Sequence, residues 1–164
     1  MRRSLDRGRP QLTPLAAELE FLDGYLALQS LSCGDRLVLE RDVPVDTLAA
    51  RVPAMILQPL VENSIVHALS TRPGRCTIRV RCRREGDRLR IEVADSGPGF
   101  PKALDHRRGV GLSATESRLQ LLFGAAQSVR YGVSDLGGAS TRLSFPYRES
   151  RERAEPAGIA EAAL

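Results

Sequence analysis

The segment Leu60-Val61-Glu62-Asn63-Ser64-Ile65-Val66-His67-Ala68-Leu69 places an amide and an imidazole in what otherwise reads as a core helix. Leu60, Val61, Ile65 and Ala68 recur at helical spacing and form one apolar stripe. Asn63 and His67 are four residues apart and share a face. Either the pair is hydrogen-bonded structure, or that side of the helix faces something other than plain water. A second stretch, Asp95-Ser96-Gly97-Pro98-Gly99, follows directly on an alternating strand. A carboxylate at the end of a buried strand needs a donor, because an isolated buried charge is costly. The exocyclic amine of adenine would be such a donor, and Gly97 and Gly99 would let backbone approach a flat base without a Cβ in the way. A tight surface turn would also carry this pattern. A third stretch, Gly109-Val110-Gly111-Leu112, leads into a helix, where free N–H groups and the positive dipole end suit phosphate. It lacks the Lys-Ser/Thr ending of a Walker loop and the parallel βαβ unit of a dinucleotide fingerprint.

The elements that must position these groups can be read in order. Thr13-Pro14 predicts a helix start, with Leu15, Leu19, Leu22 and Leu26 as its apolar stripe running towards Leu31. Gly34-Asp35 turns the chain into an alternating strand over 36–41. Pro59 predicts either a kink or a helix start near Gln58. Segments 76–84 and 88–94 alternate around Glu85-Gly86-Asp87, which reads as a hairpin turn. Residues 97–111 form a glycine-punctuated loop. Residues 112–123 are helical with a stop at Gly124, and strands over 127–133 and 140–147 follow across Asp135-Leu136-Gly137-Gly138. Antiparallel hairpins with helices between them predict an α+β fold, a two-layer sandwich with all helices on one face of the sheet.

At 164 residues the chain is long enough for one domain with a real core. A net charge of +4, from 24 Lys+Arg against 20 Asp+Glu dispersed among one another, does not mark a nucleic-acid partner. Aromatics at 4% and the lack of Trp also argue against a base-stacking platform. No apolar run approaches the roughly 18 residues needed to span a bilayer. Cys33, Cys76 and Cys82 make an odd count without CxxC spacing, so free thiols in a reducing cytoplasm are expected.

Taken together, an Asn on a helix, an Asp-x-Gly-x-Gly turn after a strand and a Gly-x-Gly-Leu helix start resemble, in that order, the GHKL or Bergerat-fold ATP-binding superfamily shared by histidine kinases, Hsp90, DNA gyrase and MutL. Within it, LQPLVENSIVHAL (57–69), DSGPGF (95–100) and GVGLSATESRLQLLFG (109–124) look like sensor histidine kinases of the LytS/YehU type. The lead-in helix LTPLAAELEFLDGYLALQS, followed by GDRL, is similar to one that these kinases carry. The resemblance covers roughly 3–147. It implies a mixed, mainly antiparallel sheet, with residues 35–147 as the ATP-binding catalytic domain. Residues 1–34 would then be the remnant of a dimerisation and phosphoacceptor region plus its connecting helix, and 148–164 a disordered tail.

The resemblance also implies roles. Asn63 matches the residue that binds the Mg²⁺ bridging the nucleotide phosphates, and Glu62 the acidic residue beside it. His67 matches a histidine near the phosphates; a merely structural histidine is the competing reading. Asp95 matches the adenine-reading aspartate, and Gly97 and Gly99 the turn that shapes the base pocket. Gly109, Gly111 and Leu112 match the hinge of a lid over the triphosphate, with Lys102, Arg107 and Arg108 as its cations. Thr141, with Ser140, lies near a hydroxyl position below adenine. Arg118 and Leu119 match an Arg–Leu pair whose implied role is helix packing. On this picture Ile56 and Pro59 line the nucleotide side beside Asn63 and His67, while Leu57, Val61, Ile65 and Ala68 pack on the sheet. Val66 departs from the Lys of many relatives, and Ala114 from their Asn.

The function implied is a cytoplasmic catalytic domain of a two-component kinase that binds ATP and Mg²⁺. It would pass the γ-phosphate to a histidine outside this chain, for relay to a response regulator. His67 and His106 are the two histidines, and neither stands in the phosphoacceptor context of the family. Expected partners are the phosphoacceptor domain, a response regulator and a second copy in a homodimer, with no nucleic acid and with membrane only through other segments. The place where gyrase-like ATPases carry a water-activating carboxylate holds Pro59. The alternatives are a non-catalytic nucleotide-binding or dimerisation module and an anti-sigma-type Ser/Thr kinase; the lead-in helix argues against the latter.

Overall fold

The computed structural model describes residues 11–71, 74–100 and 110–149. A short strand, β1 (Leu12–Pro14), runs into helix α1 (Leu15–Cys33). Thr13 does not cap the helix, as its hydroxyl suggested: it lies in β1, and Pro14 takes the cap position with no side-chain hydrogen bond. The helix's first N–H groups go to backbone instead, Leu15 N to Ala50 O at 2.8 Å and Ala16 N to Leu48 O at 3.0 Å. Leu15, Leu19, Leu22 and Leu26 are buried, while Phe21, Leu28 and Leu31 make a second, exposed apolar row.

After a 3₁₀ turn at Gly34–Arg36 come β2 (Leu37–Asp42) and β3 (Arg51–Pro53). Strand β3 pairs antiparallel with β1 in a two-stranded sheet that the sequence pattern did not announce. Helix α2 (Leu57–Thr71) follows without a kink, because Pro59 falls in its first turn, where no N–H is needed. Helix α2 crosses over from β2 to β4 (Cys76–Glu85), so these two strands pair in parallel. The tight turn at Gly86-Asp87 leads to β5 (Arg88–Asp95). Helix α3 (Val110–Phe123) ends at Gly124, whose φ of 53° is the left-handed conformation of a helix stop. The hairpin β6 (Ser128–Val133) and β7 (Ala139–Pro146) completes a mixed sheet of order β2-β4-β5-β7-β6.

Period-2 alternation assigns the two faces. Cys76, Ile78, Val80 and Cys82 of β4, with Leu89, Ile91 and Val93 of β5, are buried beneath the helices. Their neighbours Arg79, Arg81, Glu92 and Arg142 line the open face in ion pairs. The α1 leucines join the same core cluster as α2, α3 and the sheet, so packing runs unbroken across residue 34. Arg148 and Glu149, expected in a disordered tail, still belong to the fold: Arg51 N donates to Arg148 O at 2.7 Å, and Glu149 bridges Ala50. The rest of that tail, 150–164, and residues 1–10 lie outside the described residues.

Candidate functional site

Asp95 closes β5 on the helix-covered face and is 1% exposed. Its Oδ1 accepts Gly97 N at 2.8 Å and Ala139 N at 3.1 Å, and its carbonyl accepts Gly138 N at 3.1 Å. Oδ2 takes no hydrogen bond among the described residues. Buried carboxylates are normally bonded at both oxygens, so one held firmly by one oxygen presents the other as an acceptor. Beside it the Cys76 thiol is pushed above its ordinary value, by burial first and then by the Asp95 charge.

Two further residues make this arrangement possible, and neither was picked out as a site residue from the sequence. A Cβ on Gly138 would come 2.2 Å from Asp95 Oδ1 and 2.5 Å from Gly97 N, so only glycine fits. Ala139 supplies the second donor through its backbone. The usable signal was the doublet Gly137-Gly138, since the tight turn uses the positive φ of Gly137 alone, at 93°. Gly99 has a φ of 85° and passes close to Gly138, as a base-cradling turn requires. Thr141 shares the Asp95 face and is 5% exposed, whereas Ser140 turns to the open face and donates to Glu92 Oε1 at 2.8 Å.

Helix α2 packs on β4 and β5 and against α3. At 100° per residue its buried stripe is Leu57, Leu60, Val61, Ser64 and Ile65. Asn63 and His67 lie on one flank with Pro59, and Pro59 faces α3: a Cβ on Gly111 would meet Pro59 Cβ at 3.2 Å. Asn63 is half-buried and its amide bonds to no described residue. Glu62 occupies the other flank. It accepts Gln58 Nε2 at 2.6 Å and helps burial to raise the Tyr25 phenol of α1. The structure therefore brings Asn63 and His67 together and sets Glu62 towards α1. Ile56, expected on the nucleotide side, is 1% exposed and belongs to the core.

Gly111 and Leu112 stand in the first turn of α3, steadied by Thr115 Oγ1 donating to Gly111 O at 3.0 Å. Lys102, Arg107, Arg108 and Gly109 lie outside the described residues, as does His106. Arg118 and Leu119 act in packing: Arg118 donates to Ala54 O, and Leu119 is fully buried. A cavity of about 570 Å³ opens on the far face of the sheet, where Arg83 pairs with Asp42, Arg90 with Glu85 and Arg142 with Glu92, while Arg130 has no ion-pair partner among the described residues. That face carries more arginine than carboxylate, whereas the open carboxylate oxygen of Asp95 lies under the helices.

Residues 50–149 match the family described as histidine kinase-, DNA gyrase B- and HSP90-like ATPases, and the chain belongs to that family. It is 28% identical over 148 residues to the sensor histidine kinase BtsS of Escherichia coli, covering 90% of this chain and 26% of that protein. It is 27% identical over 155 residues to the sensor protein LytS of Enterococcus faecalis, covering 87% and 26%. The sensor histidine kinase YpdA of E. coli is 30% identical over 121 residues, covering 69% and 21%. The chain thus spans about a quarter of the curated relatives it matches. Among solved structures, the nucleotide-free catalytic domain of histidine kinase ThkA superposes with a TM-score of 0.64 at 16% identity, covering 83% of this chain and 95% of that one. A histidine kinase domain from Erythrobacter litoralis gives 0.62 at 19%, covering 81% and 65%. These likenesses establish the fold, the α+β sandwich with its helices on one face.

Proposed function

We propose that this chain is the catalytic, ATP-binding part of a sensor histidine kinase, acting on the cytoplasmic side. The observation that carries the reading is Asp95, buried at the end of β5 with Oδ1 held by two backbone N–H groups and Oδ2 uncommitted. An adenine amine is the neutral donor that completes it. Asn63 is the residue to hold Mg²⁺: its amide oxygen is a hard-cation ligand, it bonds to no described residue, and it lies on the α2 flank turned to α3. Bound there, Mg²⁺ would neutralise charge on the β- and γ-phosphates.

The chain's own residues would then bind and orient. Asp95 fixes the base, and Gly97, Gly99 and Gly138 keep the backbone close to it. Thr141 supports that pocket from β7. His67, one turn beyond Asn63, faces the phosphates, joined by the start of α3 at Gly111 and Leu112, by Gly109 and by the cations Lys102, Arg107 and Arg108. Glu62, the acidic residue beside Asn63, lies towards α1 and would act on the site only indirectly, through α2. The γ-phosphate goes to a histidine of the phosphoacceptor domain, within a homodimer, and from there to an aspartate of a response regulator. Residues 35–147 form the nucleotide-binding unit, with α1 as its connection to the phosphoacceptor.

Titration of the chain with ATP tests the binding half: affinity should rise with Mg²⁺, and absence of binding in both conditions overturns the reading. Supplying a phosphoacceptor domain of the family together with labelled ATP tests the transfer half, with acid-labile label on histidine expected. One observation favours a second reading, a nucleotide-binding module without transfer. Val66, at the place where many relatives carry Lys, is 65% exposed and offers the phosphates no charge. Nucleotide binding without label on histidine would select it.

A further inference from the structure

Helix α2, which carries Asn63 and His67, has no cap of its own. The residues before it, Ala54-Met55-Ile56, offer no polar side chain to its first N–H groups. The acceptor comes from α1. The Glu18 carboxylate, 6% exposed, accepts Met55 N at 2.7 Å and Ile56 N at 2.8 Å, with Leu57 N at 3.4 Å. A charged acceptor at the positive end of a helix dipole is a strong, directional cap. Met55 sits at φ 57°, a left-handed conformation that a residue with a side chain keeps only when its surroundings hold it.

The same turn is gripped from two other sides. Arg118 of α3 donates to Ala54 O, and Pro59 of the first α2 turn lies against Gly111 at the start of α3. The chain leading into α1 is laced to the same region by Ala54 N to Gln11 O at 2.8 Å, by Leu15 N to Ala50 O and by the β1–β3 ladder. The lead-in segment, α1, α2 and α3 therefore converge on residues 54–57. Asp95 takes its hydrogen bonds elsewhere, from Gly97 and Ala139.

We infer that Glu18 is a positioning residue that fixes α2, and through Pro59 the start of α3, to α1, so that the place of α1 governs the phosphate side of the cleft while base recognition stays with the sheet. The inference rests on the nucleotide reading above and adds a regulation of that site. A shift of α1 would change affinity for the metal-bound triphosphate and leave affinity for the base unchanged.

Two variants of the whole chain test this. Glu18→Gln keeps the shape and one acceptor oxygen but removes the charge and points an NH₂ at N–H donors; Glu18→Ala removes the cap. Mg-ATP should bind about tenfold more weakly to Glu18→Gln, the scale of a typical coupling between sites, with adenosine binding unchanged. Equal weakening of both ligands would mark general destabilisation and overturn the inference, as would no change in either. Hydrogen exchange gives a readout that needs no nucleotide. Faster exchange along α2 and the first turn of α3, with β5 and β7 unchanged, supports the coupling. A change confined to 55–57, or spread evenly over the chain, overturns it. Wild-type chain that binds neither ligand sinks the nucleotide reading, and the exchange pattern then decides the coupling by itself.

Discussion

Strand β5 carries two carboxylates three residues apart, Glu92 and Asp95, on opposite faces of one sheet. On the open face Glu92 is surrounded by cations and hydroxyls: Arg142 Nε at 2.7 Å, Ser140 Oγ at 2.8 Å and Arg81 at 3.5 Å. Burial raises its carboxyl, but the hydrogen bonds from Arg142 and Ser140 and the charge of Arg142 outweigh that and hold it below the usual range. Asp95, under the helices, meets no cation among the described residues and is held by backbone N–H groups at one oxygen. The same chemical group is therefore structural on one face and available on the other. Availability, more than burial or charge, distinguishes the candidate site from the rest of this Arg-rich sheet.

The largest expected effect tests that availability. In Asp95→Asn the amide oxygen can still accept Gly97 N and Ala139 N, so the fold should persist. The NH₂ would then stand where Oδ2 was, donor against donor for an adenine amine. Mg-ATP affinity should fall about a hundredfold or more, as expected for a charged acceptor replaced by an opposed donor. Calorimetric titration checks it, and normal ATP binding by the variant would remove Asp95 from the site. Next in size is Gly138→Ala. Its Cβ would strike the Asp95 carboxylate and backbone, neither of which can yield cheaply. A loss of about 2 kcal/mol in urea unfolding is expected, together with weaker nucleotide binding.

Much of this architecture was legible because period-2 alternation on β4 and β5 and the leucine stripe of α1 leave little choice of face. Asp95, Gly97 and Gly99 were legible for a related reason, since a carboxylate ending a buried strand ahead of two glycines is an unusual combination. Other features were hidden because they depend on distant partners. Strands β1 and β3 are three residues long, each with a proline, and exist only as each other's complement. The Glu18 cap acts across 37 residues or more of chain, so Glu18 reads locally as one more helix carboxylate. Gly138 reads as a turn glycine until the strand pairing brings it to Asp95. The placement of Glu62 was within reach: adjacent residues on a helix do not face the same way, so Glu62 and Asn63 could not both face α3.

Glu92→Gln turns the comparison round. Nucleotide binding should be unchanged, and stability should fall by no more than about 1 kcal/mol, because solvent screens pairs on an open face. The pH dependence is more diagnostic. The Arg83 hydrogen bond lowers the Asp42 carboxyl; at Asp135 burial acts upward, yet Arg81 brings the net shift down, as at Glu92. A carboxyl that titrates lower folded than unfolded stabilises the fold above its unfolded value and loses that contribution as pH falls through its folded value. The thermal midpoint should therefore hold steady above the ordinary values of 4.5 for Glu and 3.8 for Asp, and drop below them. Glu92→Gln should make that drop shallower; an unaltered acid limb would mean that the Glu92 pairs contribute nothing.

The smallest effect reads the same contrast through the thiols. Cys82 is pushed up to about 12, chiefly by burial, and Cys76 is raised by burial and then by the Asp95 charge. In a chain with Cys33→Ser and Cys82→Ala, the thiolate absorbance belongs to Cys76. Removing the Asp95 charge by Asp95→Asn should let Cys76 ionise at lower pH, since one of the two influences opposing its thiolate is gone. Removing the Glu92 charge should leave that titration where it was, because Glu92 lies across the sheet and is already compensated by Arg142 and Arg81. Equal shifts in both variants would mean that the Asp95 carboxylate is screened like its neighbour, and the contrast between the two faces would lose its electrostatic basis.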